Sequence, residues 1–101
     1  MNEEIRTIKS LLPEGEILAQ LGEEASELSQ AALKLRRVIT KGASPTPTSK
    51  MEAMANFVEE LADIKVCLGV LGYNIGGDIN HIADEKLKRW RKRLEEAEKI
   101  K

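Results

Sequence analysis

Two short acidic stretches carry the chemistry this sequence can do. The first is Glu23-Glu24-Ala25-Ser26-Glu27-Leu28 and the second is Glu59-Glu60-Leu61-Ala62-Asp63-Ile64. In each, two adjacent carboxylates are followed, three residues after the second, by another. Residues three apart on a helix share a face, so Glu24 and Glu27 make one pair, Glu60 and Asp63 the other. Brought face to face, the pairs form a four-carboxylate cluster whose mutual repulsion calls for a cation. A third stretch has the opposite charge: Lys86 to Arg93 (KLKRWRKR) holds six cations in eight positions. Alone, such a run is a solvated helix face, with phosphate binding as the other reading.

The elements that must position these groups are helical. Asn2 to Leu12 has Ile5, Ile8 and Leu12 at helical spacing, and Pro13 suits the first turn of a new helix. From Ile17 to Ile39, Leu18, Leu21, Ala25, Leu28, Ala32, Leu35 and Ile39 recur at three and four, which predicts a long amphipathic helix. Gly42 is its expected C-cap. Ala43 to Thr48 (ASPTPT) reads as a loop, within a connection spanning 41–49. Ser49-Lys50-Met51-Glu52 is a capping-box sequence that opens a third helix. That helix carries Ala53, Phe57, Leu61, Ile64, Leu68 and Leu71 on one face and Val58, Ala62, Val66 and Val70 elsewhere. A helix apolar nearly all round needs partners nearly all round, so oligomerisation through it is expected. Gly69, Gly72, Gly76 and Gly77 punctuate its end without forming a phosphate-binding glycine motif. Asp78 is the expected N-cap of a last helix reaching about Glu98, with Ile79, Ile82, Ala83, Leu87, Trp90 and Leu94 inward. The expected fold is all-α, of four-helix-bundle type: a short N-terminal helix and three longer ones in one domain over residues 1–101.

Helical geometry brings the charges together. Taking about 100° per residue, Glu24 and Glu27 lie about 60° and 120° to one side of the apolar stripe of their helix. Glu60 and Asp63 have the same offsets on theirs, and Gln20 and Asn56 extend the flank by a turn. Equal offsets on antiparallel helices packed core to core fall on one common face. Axial height poses a condition, since Glu24 is 18 residues before Gly42 and Glu60 only 11 after Ser49. The helices must end unevenly or the loop must fold back. On the last helix Lys86, Arg89 and Arg93 follow a flank of the same sense. Four carboxylates and three cations on one rim suit a polyphosphate bound through Mg²⁺.

These residues resemble the signature of the MazG-like all-α nucleotide pyrophosphohydrolases. In that family E-E-x-x-E on one helix precedes E-x-x-D on the next and then a helix bearing Lys and Arg. Here they read Glu23-Glu24-x-x-Glu27, Glu60-x-x-Asp63 and Lys86-x-x-Arg89. The resemblance runs from about Ile17 to Arg93. It implies Mg²⁺-dependent hydrolysis of a nucleoside triphosphate between the α and β phosphates, with Mn²⁺ as a substitute, in a homodimer or homotetramer. It makes Glu24, Glu27, Glu60 and Asp63 the metal ligands, with Glu23 a lesser participant. Lys86, Arg89 and Arg93 become the phosphate contacts, and Gln20 and Asn56 candidate substrate contacts. The base stays open: dUTP, dCTP, damaged nucleotides and purine deoxynucleotides all qualify.

The mechanism is bounded by what the sequence lacks. No Ser–His–Asp or Cys–His set is apparent, which disfavours a covalent intermediate. Direct attack by a metal-activated water fits, with Glu24, Glu27 or Glu60 as its base. Cys67, the single cysteine, reads as core packing, and His81 as an exposed side chain. With three aromatic residues, a base-stacking nucleic-acid platform is not expected. One cysteine, no signal pattern and no membrane-length apolar run point to a reducing, cytoplasmic setting. Two rival readings stand beside the first. One is a phosphoribosyl-ATP pyrophosphohydrolase with a related bundle, the other a non-enzymatic helical interaction module. A di-iron bundle needs Glu-x-x-His pairs, and the only histidine, His81, follows Asp78 by three.

Overall fold

The computed structural model describes residues 2–40, 48–72 and 78–100. These form four helices and, among the described residues, no strand: α1 (Glu3–Leu11), α2 (Glu14–Ile39), α3 (Lys50–Leu71) and α4 (Ile79–Ile100). Gly42, Gly76 and Gly77, and the loop but for its last two residues, fall outside the described residues.

Local chemistry accounts for the helix ends. Asn2 caps α1, its Oδ1 accepting from the Ile5 N–H at 2.8 Å. Pro13 is the N-cap of α2, one position before the expected first turn. Glu14 and Glu16 follow, where negative charge suits the helix dipole. Ser49 Oγ accepts from the Glu52 N–H at 3.1 Å, while the Glu52 carboxylate accepts from the Thr48 hydroxyl at 3.1 Å. Asp78 Oδ1 accepts from the His81 N–H at 3.1 Å, the expected cap of α4. At the other end of α3 the chain turns at Gly72 with φ +75°, a conformation that costs a residue with a Cβ.

α2 and α3 form an antiparallel hairpin. Ile17, near the start of α2, packs with Val70 and Leu71 at the end of α3. The buried and half-buried positions of α2 are 17, 21, 24, 28, 31, 35 and 38, stepping alternately by four and three. On α3 the seam runs 53, 56, 60, 63, 67 and 70, widened by Phe57, Ile64 and Leu71. This is the spacing of a coiled-coil seam. It corrects the expected stripe of α2, which is turned by about one residue: Leu18, Ala25, Ala32 and Ile39 are exposed, whereas Ile17 and Ala31 are buried. On α3, Leu61 and Leu68 are exposed and Cys67 and Val70 are buried. The reason is the acids themselves. Glu24, Glu60 and Asp63 take seam positions that a hydrophobicity pattern assigns to Leu or Ala. The condition on axial height is met simply. α2 stops at Ile39, and Glu24 faces Asp63 rather than Glu60, so the two lie nearly equidistant from the helix ends that flank the loop.

α1 lies on this hairpin at the end remote from the loop. Ile5 packs against the Ile17–Val70–Leu71 cluster, and a Cβ placed on Gly69 would sit 3.6 Å from Ile5 Cδ1. That is an ordinary packing distance, so α1 leaves room for a methyl group at this position.

α4 corrects a second expectation. Every residue from 78 to 100 is exposed, including Ile79, Ile82, Ala83, Leu87, Leu94 and Trp90, the last at 59%. Twelve of its 22 residues are charged, and the Ile17–Val70 end of the hairpin is already covered by α1. Within one chain the packed unit is therefore α1, α2 and α3.

Candidate metal centre

The seam places four carboxylates in one cluster. One oxygen from each of Glu24, Glu27, Glu60 and Asp63 lies within 4.8 Å of all the others. Both pairs come from the i, i+3 spacing, and the antiparallel hairpin sets Glu24 against Asp63 and Glu27 against Glu60. Glu24, Glu60 and Asp63 are half-buried and Glu27 is exposed at the rim. Glu23, one position before Glu24, is exposed and outside the cluster.

The cluster is electrostatically unsatisfied as it stands. Glu24 Oε1 accepts from Gln20 Nε2 at 2.7 Å, but Glu24 Oε2 and Glu60 Oε2 are buried with no hydrogen-bond partner. Burial raises the Glu24 carboxyl pKa first, against the Gln20 hydrogen bond, and the negative charges of Asp63 and Glu27 add to the rise. The Glu60 carboxyl is likewise raised, by burial and then by Glu27 and Asp63. Carboxylates that repel one another, two of them with an unpartnered buried oxygen, are a donor set that Mg²⁺, a hard ion taking oxygen ligands, fits. The two orphaned oxygens, on opposite helices, would be available to such an ion.

Cys67 follows Asp63 by one turn and is buried. Its thiol is pushed up in pKa by burial, then by Glu24 and Asp63, so it stays protonated and packs as a small apolar group.

Two clefts flank the cluster along the hairpin. Toward the loop, a cleft of about 360 Å³ is lined by Glu27, Gln30, Lys34, Arg37, Asn56 and Glu60, with Ala31 and Leu33. Asn56 is half-buried there, beside the carboxylates it was expected to accompany. Toward α1, a cleft of about 260 Å³ is mostly apolar, lined by Ile8, Leu12, Ile17, Val66, Cys67 and Val70 with Glu16 and Gln20. Gln20 thus touches both the cluster and this second cleft.

Lys86, Arg89 and Arg93 are not brought to the cluster within one chain. All three are exposed on α4, and Arg89 and Arg93 line a shallow patch with Lys92 and Glu96. No α4 residue lines the cleft beside Glu27 and Glu60. His81 is exposed, as expected. What sequence reasoning missed is the pair Lys34 and Arg37. The signal was present, because residues 27, 30, 34 and 37 step by three and four along one line of α2.

No helix among the described residues is long and apolar enough to cross a membrane. No protein-family model, curated protein or solved structure gives a significant match to the chain.

Proposed function

We propose that the protein is a metal-dependent nucleoside triphosphate pyrophosphohydrolase of the MazG-like kind, cleaving between the α and β phosphates to give a monophosphate and pyrophosphate. The observation that carries this is the cluster of Glu24, Glu27, Glu60 and Asp63, with two buried oxygens lacking any partner. These four residues would hold Mg²⁺, or Mn²⁺ in its place. The ion, when bound, supplies positive charge to phosphoryl oxygens as a Lewis acid. The chain supplies the rest. Glu27, at the exposed rim, and Glu24 and Glu60 are the candidate acceptors for the proton of the attacking water. Asn56 contributes a polar contact from the loop-side cleft and Gln20 holds the Glu24 carboxylate in place.

The apolar stripe of α4 and the exposed side of α3 (Met54, Val58 and Leu61) support a homodimer or homotetramer. Lys86, Arg89 and Arg93 could act on phosphates only where α4 of the same or a second copy lies along the hairpin. Nucleotide-pool cleaning in the cytoplasm is the role proposed.

The experiment is pyrophosphate release from a panel of ribo- and deoxynucleoside triphosphates, with Mg²⁺ and with chelator, beside Glu24→Ala and Glu60→Ala. Chelator-sensitive pyrophosphate release, lost in both variants, is expected. Orthophosphate as the product would remove the α–β assignment. No turnover on any nucleotide, with melting unmoved by Mg²⁺, would replace the enzyme by an acidic interaction module.

A further inference from the structure

We infer that Lys34 and Arg37 of α2 are the phosphate-holding cations of this site, so that the phosphate chain of a metal-bound substrate runs from the carboxylates toward the loop end of the hairpin. The inference rests on the metal reading above and gives the site a direction.

Three observations carry it. First, Lys34 and Arg37 line the same cleft as Glu27 and Glu60, which belong to the carboxylate cluster. Carboxylates at one end and two cations at the other match a ligand that is anionic along its length and cation-bound at one point. Second, the axial spacing is right. At 1.5 Å per residue, Lys34 and Arg37 stand roughly 10 and 15 Å beyond Glu27 along α2. Helical side chains lean toward the N-terminus of their helix, so both reach back toward the carboxylates. Their charged ends are thereby directed along the cleft toward a phosphate chain anchored at the cluster. Third, the cleft on the α1 side has no cation among its lining residues and is mostly apolar. Of the two clefts that adjoin the cluster, only the loop-side one has cations among its lining residues. Lysine meets phosphate as a point charge and arginine as a two-pronged donor, while Gln30 and Asn56 supply neutral hydrogen-bonding groups to the same cleft.

Binding of magnesium tripolyphosphate, which has no organic end, isolates this function. Titration calorimetry of the full chain in Mg²⁺ would compare wild type with Lys34→Gln, Lys34→Gln/Arg37→Gln and Lys86→Gln/Arg89→Gln. Glutamine keeps helix propensity, and thermal melting with and without Mg²⁺ reports whether each variant keeps its metal site. The expected result is a loss of roughly tenfold to a hundredfold in tripolyphosphate affinity for the double α2 variant. The single Lys34 variant should lose part of it, the α4 variant little, and the Mg²⁺-induced melting shift should persist in all. A normal Mg²⁺ shift with unchanged affinity in the α2 variants, or a loss confined to the α4 variant, overturns this inference alone. No Mg²⁺ shift in wild type overturns the metal reading and this inference with it.

Discussion

Glu24 of α2 and Asp63 of α3 face each other across the hairpin seam, at positions where two packed helices ordinarily set one apolar side chain against another. One turn toward the loop, Glu27 and Glu60 repeat the arrangement. The centre of the hairpin therefore holds like charges. Repulsion there should weaken the hairpin without a cation, and a cation held between the carboxylates should offset it.

That opposition can be measured by neutralising one member. In the absence of divalent ions, Glu60→Gln removes a half-buried charge with an unpartnered oxygen, so its melting temperature should exceed that of wild type by a few degrees. Added Mg²⁺ should raise the wild-type melting temperature and raise that of Glu60→Gln far less. A variant less stable than wild type in chelator would mean that Glu60 already has a stabilising partner.

The pH response follows from the same groups. Glu24 and Glu60 have folded-state pKa values above the ordinary 4.5. The folded chain keeps protons that the unfolded chain has released, so their contribution is fully present below 4.5. It is lost as pH rises through the raised values. In chelator, melting temperature attributable to these two groups should fall over that window, and Glu24→Gln/Glu60→Gln should flatten the fall. Saturating Mg²⁺ should remove it. Identical pH profiles for wild type and the double variant would count against the raised values.

Cys67 offers a probe of seam integrity. Its thiol is buried and its pKa raised, and the thiolate is the reactive form. Labelling by a disulfide reagent near pH 8 should proceed at less than about a tenth of the rate seen in denaturant. Equal rates in the two conditions would show the α1–α3 end of the hairpin to be open.

Gly69 within α3 and Gly72 at its C-cap should respond oppositely to alanine. At Gly69 a Cβ would make an ordinary 3.6 Å contact with Ile5 and the residue is helical, so Gly69→Ala should gain up to about 1 kcal/mol in denaturant unfolding. At Gly72 φ is +75° and ψ 175°, a region open to glycine almost alone, so Gly72→Ala should lose about 1–3 kcal/mol. The Lys9 Nζ that a Cβ would meet there at 3.2 Å can move aside. A loss at Gly69 would show that α1 sits tighter on α3 than the Ile5 contact implies.

Much of this architecture was legible in the residues. Capping sequences at Ser49 and Asp78 marked helix starts because their signals are local and chemical. The pairing of acids was legible because offsets on a helix follow from residue number alone. The seam itself was misplaced by about one residue on α2, since apolar residues at Leu18, Ala25, Ala32 and Ile39 mimic a buried stripe while the true one contains Glu24. α4 was misjudged for a different reason: its periodicity records an apolar face, and periodicity does not say which molecule covers it. Lys34 and Arg37 were overlooked because their meaning lies in the cleft they share with Glu27 and Glu60, across to α3.

The acidic layer also acts as an alignment key. Coiled-coil seams with uniform apolar layers can slide by one heptad at little cost, and a polar layer at one level fixes the register. In this hairpin a slip of seven residues would set Asp63 opposite Ile17 or Ala31 instead of Glu24. A carboxylate would then be stranded against hydrocarbon, away from the three others with which it can share an ion. The four clustered carboxylates thus also mark the register in which α2 and α3 are zipped together, and a cation held there would lock that alignment.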